Sequence, residues 1–224
     1  MLKASVFLGL LLAPLSSFAV NVGDITSFIE SQQSVLTKEV SNTTDVARYI
    51  GLKVQRITSP QDDGVVVPMQ MKSEILFTPA SVVLPGEAKE FFRISYQGPH
   101  DETERYYRLS WLDAPMSEFD AKTGKKLGLA TTSAQIDTIL VVAPRKEKFD
   151  YEYKNGEIKN LGNSTFRVVS VGSCQNQADD TEGKGCRERY FVMPGKTIRL
   201  KFTDVSQPKT HVGIWHKSQY ISVK

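Results

Sequence analysis

Thr131-Thr132-Ser133-Ala134-Gln135-Ile136-Asp137-Thr138-Ile139-Leu140-Val141-Val142-Ala143 alternates polar and apolar residues in its first half, turns continuously apolar in its second, and stops at Pro144. Alternation with a period of two marks a strand with one buried face. An unbroken apolar run asks for cover on both faces. Ala134, Ile136, Thr138, Leu140 and Val142 then point one way and Gln135 and Asp137 the other, while Ile139 and Val141 also need cover. An ordinary central strand satisfies this pattern, and so does an edge strand whose apolar row serves a partner.

Short runs rich in Val, Ile, Phe and Tyr extend outward from this stretch, bounded by Gly, Pro, Asn and Asp. Those before it fall at 20–29, 35–41, 46–57, 65–71, 75–77, 88–96 and 105–112. This spacing is the signature of a β-sandwich, and with 131–142 it supplies enough strands for one immunoglobulin-like domain. On the far side, Pro144-Arg145-Lys146-Glu147-Lys148 is a proline-led polar stretch of the kind that separates domains. A second series follows at 149–153, 158–161, 166–172, 189–193, 197–202 and 219–223, with Asn155-Gly156 as a tight hairpin turn. The sequence therefore reads as all-β, with one domain over 20–144 and a smaller one over 145–224.

Residues 1–19 carry Lys3, an apolar run over 6–15 and the ending Ser17-Phe18-Ala19, which reads as a cleavable secretory signal peptide. The run is too short to span a bilayer, so membrane insertion is not expected. In an exported chain the two cysteines, Cys174 and Cys186, are expected to form a disulfide. Closing so short a loop adds about 3 kcal/mol in the chain-entropy model, a local staple on a self-sufficient fold.

Lys and Arg number 28 against 25 Asp and Glu and are interleaved with them throughout, so no basic stripe points to nucleic acid. His100, His211 and His216 lack ligand spacing, and no metal or cofactor is expected. No Gly-x-Ser-x-Gly elbow is present. Gly124-Lys125-Lys126 falls between strands instead of opening a helix, so it is no phosphate loop. Carboxylate pairs for glycoside hydrolysis meet only in three dimensions. No enzyme is expected.

Several phrases resemble the periplasmic pilus chaperones of the chaperone–usher pathway. One is Phe77-Thr78-Pro79-Ala80-Ser81-Val82-Val83-Leu84-Pro85-Gly86-Glu87-Ala88 followed by Phe92-Arg93-Ile94. Others are Glu104-Arg105-Tyr106-Tyr107-Arg108-Leu109-Ser110-Trp111, the 131–144 strand ending in proline, and Asn160-Leu161-Gly162-Asn163-Ser164-Thr165 leading into 166–172. Their order and spacing carry the match. The Arg108 strand and the paired cysteines are closest to the alternate branch, which serves colonisation-factor fimbriae and the common pilus.

The resemblance implies two immunoglobulin-like β-sandwich domains in an L or boomerang arrangement in the periplasm. It implies pilus subunits and an outer-membrane usher as partners, and leaves a self-capping homodimer open. Such subunits are unfinished sandwiches, and a lent strand completes them. Ala134, Ile136, Thr138, Leu140 and Val142 are the expected donor residues. The family holds the subunit's C-terminal carboxylate with two basic residues, and the comparable positions here are Thr26 and Ile139. Arg108 and Arg145 are the expected substitutes, with Thr26 as a hydroxyl donor. Arg93 and Glu104 match the family's interdomain ion network in position, and His216 is expected at a hydrated interface in preference to a pair with Glu104. The rival readings are a pilus subunit or adhesin, and a periplasmic carbohydrate-binding sandwich stacking sugars on Trp111 and Trp215.

Overall fold

The computed structural model describes residues 20–61, 63–116 and 133–224. The signal-peptide stretch 1–19, Gly124-Lys125-Lys126 and residues 131 and 132 lie outside the described residues. The strands of the first half are β1 (Val20–Asn21), β2 (Thr26–Ile29), β3 (Val35–Asn42), β4 (Arg48–Ile57), β5 (Ile75–Thr78), β6 (Ser81–Leu84), β7 (Lys89–Tyr96), β8 (Arg105–Pro115) and β9 (Ala134–Val142). The second half holds β10 (Tyr151–Lys154), β11 (Glu157–Asn160), β12 (Phe166–Gly172), β13 (Cys186–Val192), β14 (Thr197–Arg199), β15 (His211–His216) and β16 (Gln219–Ser222). Among the described residues, helix is confined to one short 3₁₀ turn, Gln177–Asp179. The chain is all-β, as its strand pattern asks.

In the first half, a sheet ordered β1-β3-β7-β5 faces one ordered β2-β9-β8-β4-β6. Trp111, Phe92, Tyr107, Leu109, Ile29 and Leu140 are the centre of the core between them. The Phe92 and Trp111 rings meet edge to face at 5.1 Å. In the second half, β13-β12-β15-β16 and β10-β11-β14 enclose a separate core around Ile158, Phe166, Val168, Val212 and Ile214. The two cores share no residue.

Several sequence expectations are corrected. The run 20–29 is two strands, β1 on one sheet and β2 on the other. The chain crosses at Gly23, whose φ of +71° favours glycine and whose N–H donates to the Asn21 side chain. The run 65–71 forms only a bridge from Val66 to Ile57, since Pro68 has no N–H to give a ladder.

Two strands were missed. The edge strand β6 hides inside the proline-bounded phrase 79–85. The central strand β15 carries Gly213 and histidines at both ends, which dilute the strand signal. An added Cβ at Gly213 would come within 2.2 Å of the Tyr220 hydroxyl, so the glycine leaves room for the Tyr220 ring to lie over it. The Cys174–Cys186 disulfide is formed.

Candidate functional site

β9 pairs antiparallel with β8 along its whole length, from Ala134 opposite Asp113 to Val142 opposite Arg105. On its other side β2 runs parallel to it, but only from Thr26 opposite Ile139 to Ile29 opposite Val142. The Ile139 N–H donates to the Ile25 carbonyl at 2.7 Å and the Ala143 N–H to that of Ile29 at 3.0 Å. Odd-numbered residues of β9 thus aim their backbone groups at the β2 side, because these directions alternate along a strand. Ahead of Ile139 no described strand continues β2. Among the described residues, the N–H and C=O of Gln135 and Asp137 therefore have no strand beside them, while the second half of β9 is flanked on both sides.

The side chains sort differently from expectation. Thr138, Leu140 and Val142 are buried and Ile136 is half-buried against the same core, so this row closes the chain's own sandwich. Of the expected donor row, only Ala134 is exposed. The cause is register: Ile136, Thr138 and Leu140 stand opposite Trp111, Leu109 and Tyr107, which all point inward. The Trp111 indole N–H donates to the Thr138 hydroxyl at 3.0 Å, satisfying a polar pair inside the core. Burial of Trp111 also removes it as a sugar-stacking surface.

The opposite face of this sheet carries one continuous row, Thr26 beside Ile139 beside Arg108. The structure thus brings together two of the three expected anchor residues. Arg108 Nε lies 4.0 Å from the Asp137 carboxylate, both partly exposed. Arg145 is elsewhere. Its guanidinium donates to the carbonyls of Glu30, Ser31 and Gln33 at 2.7, 3.0 and 2.5 Å, and sits over the Tyr96 ring at 4.9 Å. Through Nη1 it clasps the linker to the first domain, while its Nη2 is buried without a hydrogen-bond partner.

Arg93 is exposed in β7 on the other sheet, opposite Thr37 and Thr78, and takes no part in the domain junction. Glu104 does: its carboxylate accepts the Thr165 N–H at 2.6 Å and hydroxyl at 2.5 Å, and also the Tyr106 hydroxyl. His216 is not solvated as expected; it stacks on Phe149 and bonds Glu147 at 2.7 Å. Glu147 also binds Lys217 and, at 3.0 Å, Ser31 of the first domain. Sequence reading missed Glu147 because it looks like a linker surface charge.

Burial raises Glu104 above its ordinary pKa against the pull of Thr165 and Tyr106, and burial likewise raises Glu30. Burial would raise Glu147 too, but hydrogen bonds from Lys217, His216, Ser164 and Ser31 outweigh it and hold the carboxyl down to about 2. A depressed carboxyl stabilises the fold above its ordinary pKa of 4.5, and that contribution is lost as pH falls toward 2. Glu30 and Glu104 act in the opposite sense, since the folded form holds their protons more tightly. We expect Glu147→Gln to destabilise at neutral pH, with the gap to wild type closing across that acid window. Urea unfolding at a series of pH values measures it, and a gap independent of pH would remove this role from Glu147.

Between the domains lies a cleft of about 690 Å³ bounded by Thr26, Phe28 and Glu104 on one side and by Arg167, Phe191 and Trp215 on the other. Phe28 and Phe191 meet across it with ring centroids 5.8 Å apart. Among the described residues no cluster of His, Cys, Asp and Glu could hold a metal ion.

A protein of Klebsiella pneumoniae named probable fimbrial chaperone EcpB is 43% identical over 225 residues, covering 100% of both chains. The chain belongs to the EcpB family of fimbrial chaperones. The EcpB of Escherichia coli O157:H7 matches to the same extent, 43% over 225 residues and 100% of both chains. The model of the EcpB C-terminal domain matches residues 149–223. Two solved structures share the fold of this EcpB-family chain. The class 5 fimbriae chaperone CfaA gives a TM-score of 0.55 at 16% identity, over 91% of this chain and 97% of its own. The SafB chaperone, solved with the SafA pilin of Salmonella enterica, gives 0.51 at 14%, over 92% and 95%. Membership in a family of fimbrial chaperones makes this a folding and assembly protein and not an enzyme.

Proposed function

We propose that this EcpB-family chain acts in the periplasm, binds pilus subunits by lending them the open edge of β9, and delivers them to an outer-membrane usher. The observation that carries the reading is the half-open strand: β2 covers β9 only from Ile139 onward, leaving the outward backbone groups of Gln135 and Asp137 for an added strand. An unfinished sandwich is an aggregation hazard until its edge is paired, and an open, unfused edge pairs it without ATP. Ala134 and Ile136, at the unflanked end of the inward row, are the donor side chains available to a neighbouring core. Thr26 and Arg108, in one row beside the edge, suit the subunit's terminal carboxylate.

Magnitudes limit what the edge does alone. Ladder hydrogen bonds contribute about 1 kcal/mol apiece, and a fully buried isoleucine roughly 1.5–3 kcal/mol. Association itself costs roughly 4–15 kcal/mol, so a durable complex needs further surface. Co-expression with a pilus subunit is expected to yield a one-to-one complex in which the subunit resists a protease that digests it when alone. Recovery of both proteins unassociated, with the subunit still digested, would sink the reading. Arg108→Gln is expected to weaken the complex about tenfold, the worth of one charge-assisted bond. Equal affinity would remove Arg108 as an anchor.

A further inference from the structure

The second domain presents a surface that the strand-lending reading leaves unused. In β12 and β15, Phe166, Val168 and Ile214 point to the core, so their odd-numbered neighbours point outward. Phe191, Arg167, Trp215 and Tyr220 stand side by side across the sheet β13-β12-β15-β16. Arg167 Cζ lies 5.8 Å from the centre of the Trp215 ring, and the Trp215 and Tyr220 rings are 5.3 Å apart. Arg189 and Arg187 follow Phe191 outward along β13, opposite Val169 and Val171. Three arginines thus share a face on which these four strands place no acidic side chain.

Among the described residues these guanidiniums hold no carboxylate. Among the described residues neither Arg167 nor Arg189 donates a hydrogen bond or pairs with a carboxylate, and Arg167 Nε is shielded from solvent without a partner. A shielded N–H without an acceptor is costly, so a ligand that supplies one gains accordingly. The acidic groups of the cleft, Asp24, Glu30, Glu104 and Glu147, belong to the first domain and the linker, and Glu147 is already paired with Lys217 and hydrogen-bonded to His216. The cleft is therefore divided, acidic toward the first domain and basic and aromatic on the second.

We infer that the outward face of the sheet β13-β12-β15-β16 docks an acidic, aromatic-bearing segment of the bound subunit, Arg167 and Arg189 pairing with its carboxylates while Phe191 and Trp215 cover its apolar side chains. The inference rests on the strand-lending reading for the identity of the partner. Phe191 is 40% exposed and touches Phe28 of the first domain, so this wall continues the surface that flanks β9. A polypeptide held at the open edge reaches it without leaving the protein. Arginine and aromatic side chains are also those that concentrate binding energy at interfaces.

Trp215 is the reporter, since the other tryptophan, Trp111, is fully buried. Titrating the purified chain with a synthetic peptide of alternating Asp and Phe is expected to shift Trp215 emission. The Asn-for-Asp peptide should bind at least about tenfold more weakly, and amidating the acidic peptide's C-terminus should change nothing. Arg167→Gln with Arg189→Gln should reduce acidic-peptide affinity to that of the Asn peptide, with an unchanged thermal melt. Equal affinity of the two peptides, indifference to the double variant, or loss on amidation overturns the inference. So does binding to phosphatidylglycerol vesicles but not to the peptide.

Asp137→Pro, which blocks strand addition, should lower subunit affinity by about a hundredfold or more yet leave peptide binding intact. The two readings therefore fail separately.

Discussion

Asp137→Pro is expected to lower affinity for a pilus subunit by about a hundredfold or more while moving the unfolding free energy by less than about 1 kcal/mol. Proline removes the outward N–H, leaving an acceptor of the incoming strand unpaired at a cost of about 1–3 kcal/mol, and sets a ring against that strand as well, while each 1.4 kcal/mol is tenfold in affinity. The fold tolerates it because the Asp137 backbone faces away from β8 and the side chain makes only exposed contacts with Gln135 and Arg108. Binding read by surface plasmon resonance and stability read by urea unfolding separate the two effects. Wild-type affinity in this variant would mean the subunit does not pair with β9. By contrast, Leu140→Asp places a charge at a fully buried position and unfolds the domain, so its loss of binding says nothing about the edge.

Trp111→Ala is expected to cost about 3–5 kcal/mol of first-domain stability, the range for truncating a large buried aromatic. Trp111 is 0% exposed, packs on Phe92 and donates to Thr138, so its loss opens a cavity and leaves a buried hydroxyl short of a partner. The core around Phe166 and Ile214 shares none of these contacts. Denaturant unfolding followed by far-UV circular dichroism should show one transition moved to lower urea, with Trp215 fluorescence still reporting the second domain. An unchanged first transition would show that the sheets of the first domain are not held by this side chain.

Much of the fold was legible because strand character is a local property. The alternation in 134–142, the turn at Asn155-Gly156 and the cysteine pair each needed only neighbouring residues and a compartment. The misses share a different cause. β15 is held as a strand by partners on either side, β12 and β16, which outweigh the weak local signal of Gly213 and two histidines. Arg145 and Glu147 look alike in the sequence, as charges in a linker. One turns a single guanidinium nitrogen to three backbone carbonyls and the other bridges both domains.

By itself the sequence determined an all-β chain with two strand series, a pair of cysteines, and the exchange of polar for apolar residues along the ninth strand. Only the tertiary structure decided which row of that strand fills its own core, how much of its flank β2 covers, and which arginines face the cleft. The reason is that periodicity specifies two faces but labels neither. The label comes from pairing with other segments: register against Trp111, Leu109 and Tyr107 of β8 turns Thr138 and Leu140 inward, and β2, from the far end of the domain, stops at Ile139 and leaves Gln135 and Asp137 without a described strand beside them.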